Sequence, residues 1–319
     1  MIISGFTMGR NARKLYYPMK QSVMSILPLV DEFIVALGDS DADDKTRMEI
    51  ESIGSNKIRI VDTVWNIEKY PKGMEHAHQT DVAKAACRGD WLFYLQSDEV
   101  IHEHDLPVIR NRCTELYRDE EVEGLLFDYL HFWGDYDHYQ NNHCWYRKEI
   151  RIIRNQPDIH SWESAQSFRK IPGFDGIHYR QKENTFKLKV ANSGARVFHY
   201  GWVRPPELMN SKIRSFSINH RGAKMVGEME KNDLFRGYFD YGNLSKLQVY
   251  SGSHPAVMKD WIKMFNWHTR LRFSGSRRSE NKLISKHDRP RYLIISWIEK
   301  NLLFGARLGE FKNYILLKR

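Results

Sequence analysis

The segment Trp91-Leu-Phe-Tyr-Leu95 places five large apolar residues in a row and runs directly into Gln96-Ser-Asp-Glu99. Five such residues without polar alternation read as a strand buried on both faces, which needs a layer of structure on each side. The preceding ninety residues supply those layers. Residues 1–7 read as a short buried strand. Apolar positions at Leu15, Met19, Val23, Ile26 and Leu27 follow the helical period, and Pro28 ends that helix. Residues 31–37 and 57–64 read as further strands, and 46–53 and 73–88 as helices closed by Gly54 and Gly89. Strand and helix alternating in this way predict an α/β fold, a Rossmann-like and mostly parallel sheet with flanking helices. In such sheets ligands bind beyond the carboxyl ends of the strands, here after Thr7, Leu37, Val64 and Leu95.

Those ends are polar. Arg10, Asn11 and Arg13 follow the first strand, Gly38-Asp-Ser-Asp-Ala-Asp-Asp44 the second, and Gln96-Ser-Asp-Glu99 the fourth. A carboxylate pair at the end of a buried strand suits a hard divalent cation. Asp43 and Asp44 read instead as caps for the helix that begins at Thr46. Asp39-x-Asp41-x-Asp43 is not a calcium loop, since its sixth position is Asp44 and its twelfth Ile50. No Gly-rich phosphate loop occurs near Gly9. No zinc site is expected either, because no His-Glu-x-x-His is present and the three cysteines, Cys87, Cys113 and Cys144, lie far apart and away from the histidines.

Four pieces of the chain resemble family 2 glycosyltransferases of the GT-A fold. They are Phe6-Thr-Met-Gly-Arg-Asn11 leading into Tyr17 to Leu27, Val30 to Ser40, Gly89 to Glu99, and Val197-Phe-His-Tyr-Gly-Trp202. The resemblance implies a nucleotide-diphospho-sugar donor and a divalent cation, Mn²⁺ or Mg²⁺. Asp98 matches the second acid of the family's Asp-x-Asp motif. Gln96 stands where the first would be, with Ser97 between them, and Glu99 is positioned to compensate. Asp39 matches the acid that contacts the nucleoside. Thr7, Arg10 and Asn11 fall in the loop around base and ribose. His199 resembles a late histidine that adds a metal or diphosphate contact. The implied organisation is a donor-binding half over 1–105, an acceptor-binding half over 106–210, and a helical C-terminal region over 211–319 that is basic from 261.

Transfer of the sugar, expected with inversion, needs charge stabilisation on the departing diphosphate and a general base for the acceptor hydroxyl. The base is expected after the metal motif. Asp128, Asp135, Asp137 and Glu163 are the candidates. Glu163, in Ile159-His-Ser-Trp-Glu-Ser-Ala165, is the choice, with Trp162 as a platform for a sugar ring. The alternative is a surface acid beside a packed tryptophan. Trp133, Tyr136, Tyr139 and Trp145 form a second aromatic group, read either as an acceptor groove or as packing.

Charge separates the C-terminal region from the rest. Residues 261–319 carry fourteen Lys and Arg against four acids, a net charge of +10, while 1–260 carry −1. Trp261, Phe265, Trp267, Leu271, Phe273 and the run Tyr292 to Trp297 interleave with this charge. That pattern suits a peripheral helix on an anionic membrane face or a solvated basic surface, and nucleic acid is not expected as a partner. No apolar stretch is long enough to span a bilayer and no signal peptide is expected, which points to the cytoplasm; the resemblance implies an enzyme of cell-envelope polysaccharide or lipopolysaccharide synthesis with a carbohydrate or lipid-linked acceptor. The rival is an inactive nucleotide- or carbohydrate-binding relative, favoured by Gln96. A nucleotidyltransferase is disfavoured, because no Gly-Gly-x-Gly-x-Arg occurs near the N-terminus.

Overall fold

A computed structural model describes residues 1–232, 235, 237–275, 289–304, 306–309 and 312–319. The first half alternates as the sequence predicts: β1 (Ile3–Gly9), α1 (Met19–Ile26), β2 (Glu32–Leu37), α2 (Thr46–Glu51), β3 (Ile58–Asp62), α3 (Met74–Ala85) and β4 (Trp91–Tyr94). The four strands lie in the order β3-β2-β1-β4 and every neighbouring pair is parallel. The first helix starts later than its periodicity suggests, at Met19. Residues 10–17 instead form a loop over the sheet end, with Asn11 and Tyr16 at positive φ.

Side-chain alternation shows how deeply this half is buried. Trp91 and Phe93 enter one apolar cluster with Phe33 and Val35, whereas Leu92 and Tyr94 enter another with Ile34 and Ala36. Successive side chains on a strand point to opposite faces, so β2 and β4 feed a core on each side of the sheet. Gly5 and Gly89 permit this closeness. A Cβ on Gly5 would collide with the ring of Phe33, and one on Gly89 with the backbone of Ser4.

Beyond β4 the sheet becomes mixed. It continues through β8 (Lys148–Arg154), β6 (Gly124–Trp133), β11 (Phe186–Trp202), β10 (Ser167–Lys170) and β9 (Ile159–Trp162). The contacts β4–β8 and β8–β6 are antiparallel, and β6–β11 is parallel. The long β11 also pairs with β5 (Glu99–Ile101), which follows the carboxylate motif, so His199 lies opposite Glu99. Between β5 and β6 runs α4 (Leu106–Glu115), and β7 (His138–Gln140) borders β6.

The C-terminal region carries the expected helices, α5 (Pro206–Arg221), α6 (Ala223–Lys231), α7 (Lys259–Lys263) and α8 (Pro290–Asn301). It also supplies β12 (Gln248–Val249) beside β7, and β13 (Tyr314–Leu316), which pairs parallel with β11 through Leu188 to Val190. The tail therefore returns to the sheet. Trp261, Trp267 and Leu271, read as interfacial from the sequence, are buried in a third cluster with Phe132, Trp133, Tyr136, Phe198 and Tyr200. Trp267 Nε1 donates to Gly134 O and Trp133 Nε1 to Tyr241 O, so both indoles are satisfied inside the protein. The aromatic residues around 133–145 are thus packing for this region: Trp133 and Tyr136 belong to the cluster, and Tyr139 and Trp145 pack against it. Arg277, Arg278, Lys282, Lys286 and the acids Glu280, Asp288 and Glu310 lie outside the described residues.

Candidate functional site

Because β1, β2, β3 and β4 run parallel, their carboxyl ends share one rim, and a cleft of about 320 Å³ opens there. Arg10 and Asn11 come from the loop after β1, Trp65 from beyond β3, and Gln96, Ser97 and Asp98 from the end of β4. His199 and Trp202 arrive on β11, and Lys212, Ile213, Phe216 and Asn219 on α5, which covers the opening. Six of the nine residues singled out in the sequence therefore line one cavity: Arg10, Asn11, Gln96, Ser97, Asp98 and His199.

Asp98 is its electrostatic centre. The residue is 6 % exposed, and its Oδ2 lies 3.7 Å from His199 Nε2 and 3.8 Å from Lys212 Nζ. Burial alone would raise the carboxyl's pKa, but His199, then Lys212 and Arg204, outweigh it and hold the group well below the usual carboxylate range. Gly201 makes the approach possible, since a Cβ there would collide with Asp98 Oδ2 and the His199 ring. The His199 ring is fixed from behind. His131 Nε2 faces Tyr146 O at 2.8 Å, and a carbonyl can only accept, so the proton of His131 sits on Nε2 and its Nδ1 accepts from His199 Nδ1 at 3.0 Å. Burial, then the neighbouring His199, push the His131 pKa well below its usual value, which keeps it an acceptor. With its Nδ1 proton directed at His131, His199 presents Nε2 to Asp98: a protonated Nε2 pairs with the carboxylate, and an unprotonated one offers a lone pair beside it. A carboxylate oxygen and an imidazole lone pair at this separation fit a divalent cation with oxygen- and nitrogen-ligand tolerance.

Lys212 was not legible as a site residue. Its side chain is 11 % exposed, its ammonium donates to Gly201 O, and it sits over the rings of Tyr17 at 5.4 Å and Trp202 at 4.9 Å. Burial, reinforced by Arg204 and opposed by Asp98, lowers its pKa to about 7. One signal was present: Met209, Lys212, Ile213 and Phe216 follow i, i+3, i+4, i+7, which puts a lysine inside an apolar stripe of α5. Arg204 is fully buried beside it and donates to Leu15 O and Gly201 O.

Trp65 and His76 line the same cleft. Trp65 Nε1 and His76 Nδ1 are both buried with no hydrogen-bond partner. Burial, then His220, bring the His76 pKa down to about 4, so the ring is neutral near pH 7. Orphaned ring nitrogens in a cavity wall are points where a polar ligand gains most.

The remaining expected residues fall elsewhere. Asp39 lies behind the Arg10–Trp65 wall. Its Oδ1 is 3.3 Å from Arg10 Nε and accepts from Trp65 N at 3.0 Å, so it braces two lining residues while facing a neighbouring recess of about 310 Å³. Thr7 is fully buried within β1 with its hydroxyl unpartnered. Glu163 faces a second, smaller pocket, 3.9 Å from Arg180, whereas its neighbour Ser164 lines the main cleft. Glu99 does not compensate for Gln96. It is completely buried and bound to Arg151 through two contacts of 2.7 Å, with Tyr129 Oη donating to it at 2.8 Å. Gln96 itself donates to Ala165 O at 2.9 Å and so ties the segment after β9 to the end of β4. Asp44 meets the start of α2 as expected, accepting from Thr46 N at 3.0 Å, and Asp43 pairs with Lys14. Of the alternative bases, Asp128 pairs with Lys148 and buried Asp135 with His138. Among the described residues one His/Cys/Asp/Glu group has metal-like spacing, His102, Glu103 and His104, but both ring nitrogens of His102 are engaged, with Ser253 Oγ and His104 N.

No protein-family model matches this chain, and no curated protein matches it. Solved structures do. Glucosyl-3-phosphoglycerate synthase from Mycobacterium tuberculosis, in complex with Mn²⁺, UDP and phosphoglyceric acid, is 23 % identical over 41 % of this chain and 43 % of that chain, with a TM-score of 0.28. TarS 1–349 from S. aureus in complex with UDP is 16 % identical over 69 % of this chain and 65 % of that one, with a TM-score of 0.39. The match spans less than half of the first protein's length and just under two thirds of the second's. The α/β fold stands on the strand order and register described above.

Proposed function

We propose that this chain is a nucleotide-sugar-dependent glycosyltransferase of the family 2, GT-A type that moves a sugar to a carbohydrate or lipid-linked hydroxyl. The observation that carries the reading is the meeting of Asp98, His199 and Lys212 at the end of β4, with unpartnered Trp65 and His76 nitrogens on residues that line the same cleft. These two polar groups are matched to the two ends of a nucleoside diphosphate. Asn11, Trp65 and His76 take the nucleoside, with Asp39 holding Arg10 and Trp65 in place. Lys212 and Asp98 take the diphosphate end.

Asp98 and His199 would hold a Mn²⁺ or Mg²⁺ ion, whose chemistry is to stabilise negative charge on the departing diphosphate. Arg204, and Lys212 when protonated, add positive charge where a second carboxylate is missing, so the chain's own cations share that task. In the transfer, an acceptor oxygen forms a bond to the anomeric carbon as the carbon–oxygen bond to the diphosphate breaks. The bonding pair leaves with the diphosphate, and the acceptor's proton passes to a carboxylate. Glu163 is the proposed base, from the segment whose next residue, Ser164, lines the donor cleft.

The C-terminal region is proposed to meet an anionic membrane surface through one face of α8. Ile294 and Trp297 are each 59 % exposed and Phe304 is 97 % exposed, with Arg289, Arg291 and Lys300 around them. The opposite face of the helix holds Glu299, which is buried against His143 and Arg307. Cell-envelope polysaccharide synthesis from the cytoplasmic side is the setting that fits such an enzyme. No helix among the described residues is long and apolar enough to cross a membrane.

The test is nucleoside diphosphate release from a panel of nucleotide-sugars with added acceptor glycans and Mn²⁺. Release that falls by two or more orders of magnitude in Glu163→Gln, with donor binding retained, is the expected result. Donor binding without any release would favour the inactive relative that Gln96 suggests.

A further inference from the structure

The second pocket lies on the other side of the segment that Gln96 anchors. Trp162, Glu163, Gln166 and Ser167 line it, while Ser164 between them lines the main cleft. Glu163 and Ala165 both have positive φ, at 57° and 62°. Two left-handed residues flanking Ser164 set neighbouring side chains on opposite sides, so a single thin wall serves two cavities. Non-glycine residues hold this conformation only where surrounding contacts enforce it, and such strain collects at functional sites.

The far wall comes from the end of the chain. Asn313 and Tyr314, at the start of β13, close the pocket opposite Glu149 and Tyr146. Asn313 is 7 % exposed, yet its Oδ1 has no hydrogen-bond partner. Glu149 is 3 % exposed. Its Oε1 accepts from Ser167 Oγ at 2.6 Å and from Ile150 N at 3.0 Å, and no bond is formed by Oε2 among the described residues. Burial raises the pKa of Glu149. The pocket measures about 190 Å³, smaller than the ~300 Å³ at which drug-sized sites begin.

We infer that this pocket is a subsite for one neutral sugar ring of the acceptor, bound by the Asn313 and Glu149 oxygens and stacked against an aromatic wall of Trp162 and Tyr146. Asn313 Oδ1 and Glu149 Oε2 are oxygens that can accept, so hydroxyl groups are what a ligand would contribute to them. Two carboxyl groups, with Lys148 already paired to Asp128 at 2.8 Å, select against a phosphate or carboxylate. The ring would lie one residue's width from the donor cleft, with Glu163 on its own side of the wall. The acceptor role rests on the transferase reading, whereas the binding of a sugar ring here does not.

Saturation-transfer NMR on the full chain tests it. The probes are methyl glycopyranosides of glucose, galactose, mannose and N-acetylglucosamine, with glucose 6-phosphate as the anionic control. At least one neutral glycoside should show transfer, the phosphate should not, and Asn313→Leu should weaken the signal by about tenfold. Gln166 is exposed and lines the pocket, so Gln166→Trp is expected to fold, to fill the pocket and to abolish the signal. Both variants should bind the nucleoside diphosphates UDP, GDP, ADP and CDP as the parent does. If no glycoside binds, or if binding survives Gln166→Trp, the subsite is overturned. If the glycoside binds as expected but no nucleoside diphosphate binds the parent, the subsite stands as a sugar site and its acceptor role falls with the transferase reading.

Discussion

On β4 every side chain is buried and polar groups begin only where the strand stops, whereas on α8 the polarity is inverted. There Glu299 is buried and Ile294 and Trp297 face outward. The first arrangement needs nothing further to be stable, because apolar surface is removed from water and one carboxylate, Asp98, faces a cleft that can bind a charged ligand. The second leaves apolar surface uncovered and spends a buried ion cluster on holding the helix in place. Isolated exposed apolar residues are ordinary, but several on one helix beside cations mark a face that meets something else. The contrast separates the region proposed to carry the chemistry from the one proposed to meet a membrane surface.

The largest effect should come from the rim. Asp98→Asn keeps the shape and removes the charge, and turnover should fall by roughly 100- to 1,000-fold in a nucleotide-release assay run at a temperature where both proteins are folded. Equal turnover would mean that the Asp98 carboxylate at that rim has no chemical purpose.

Glu99 belongs to the same four-residue motif but to the interior. Glu99→Gln strands Arg151 in the core, and denaturant unfolding should show a loss of about 3–5 kcal/mol, because a buried charge loses its partner. A small loss would contradict its assignment as structure rather than site.

His76 sharpens the comparison by pH. Its pKa is about 4 in the folded chain against 6.5 ordinarily. Between those values the unfolded chain binds the extra proton, so this residue's contribution to stability is intact above 6.5 and is lost as the pH falls toward 4. Thermal or denaturant melts of His76→Gln should be less acid-sensitive than the parent by about 2 kcal/mol between pH 7 and pH 5.

The smallest effect on folding should come from α8. Trp297→Glu should change stability by less than about 0.5 kcal/mol, as an exposed substitution does. It should nevertheless reduce binding to anionic liposomes by about tenfold in a flotation assay. Unchanged flotation would leave the outward face without a partner.

The parallel half was readable because its signals are local. A strand is a run of residues, its end is marked by Gly38 or by Gln96-Ser-Asp, and the parallel arrangement puts all such ends on one rim. Asp98 and His199 followed from that pattern together with the family resemblance. Lys212 did not, because it lies more than a hundred residues from Asp98 and reaches it only through the turn of α5 over the cleft. Glu99 was misjudged for a similar reason: its partner Arg151 is on β8, and the antiparallel contact between β4 and β8 is not written near either residue. Trp261 and Trp267 look interfacial in sequence, since amphipathic aromatics beside cations suit a membrane and a protein core equally well. Only the contacts with β6 and β11 decide between them.

Isothermal titration calorimetry with UDP, GDP, ADP and CDP in the presence of Mn²⁺, on the parent and on Lys212→Met, tests the donor cleft most directly. The account predicts that one diphosphate binds the parent and that Lys212→Met weakens it by at least about tenfold. Binding of equal strength in both proteins, or of no diphosphate to the parent, would contradict it.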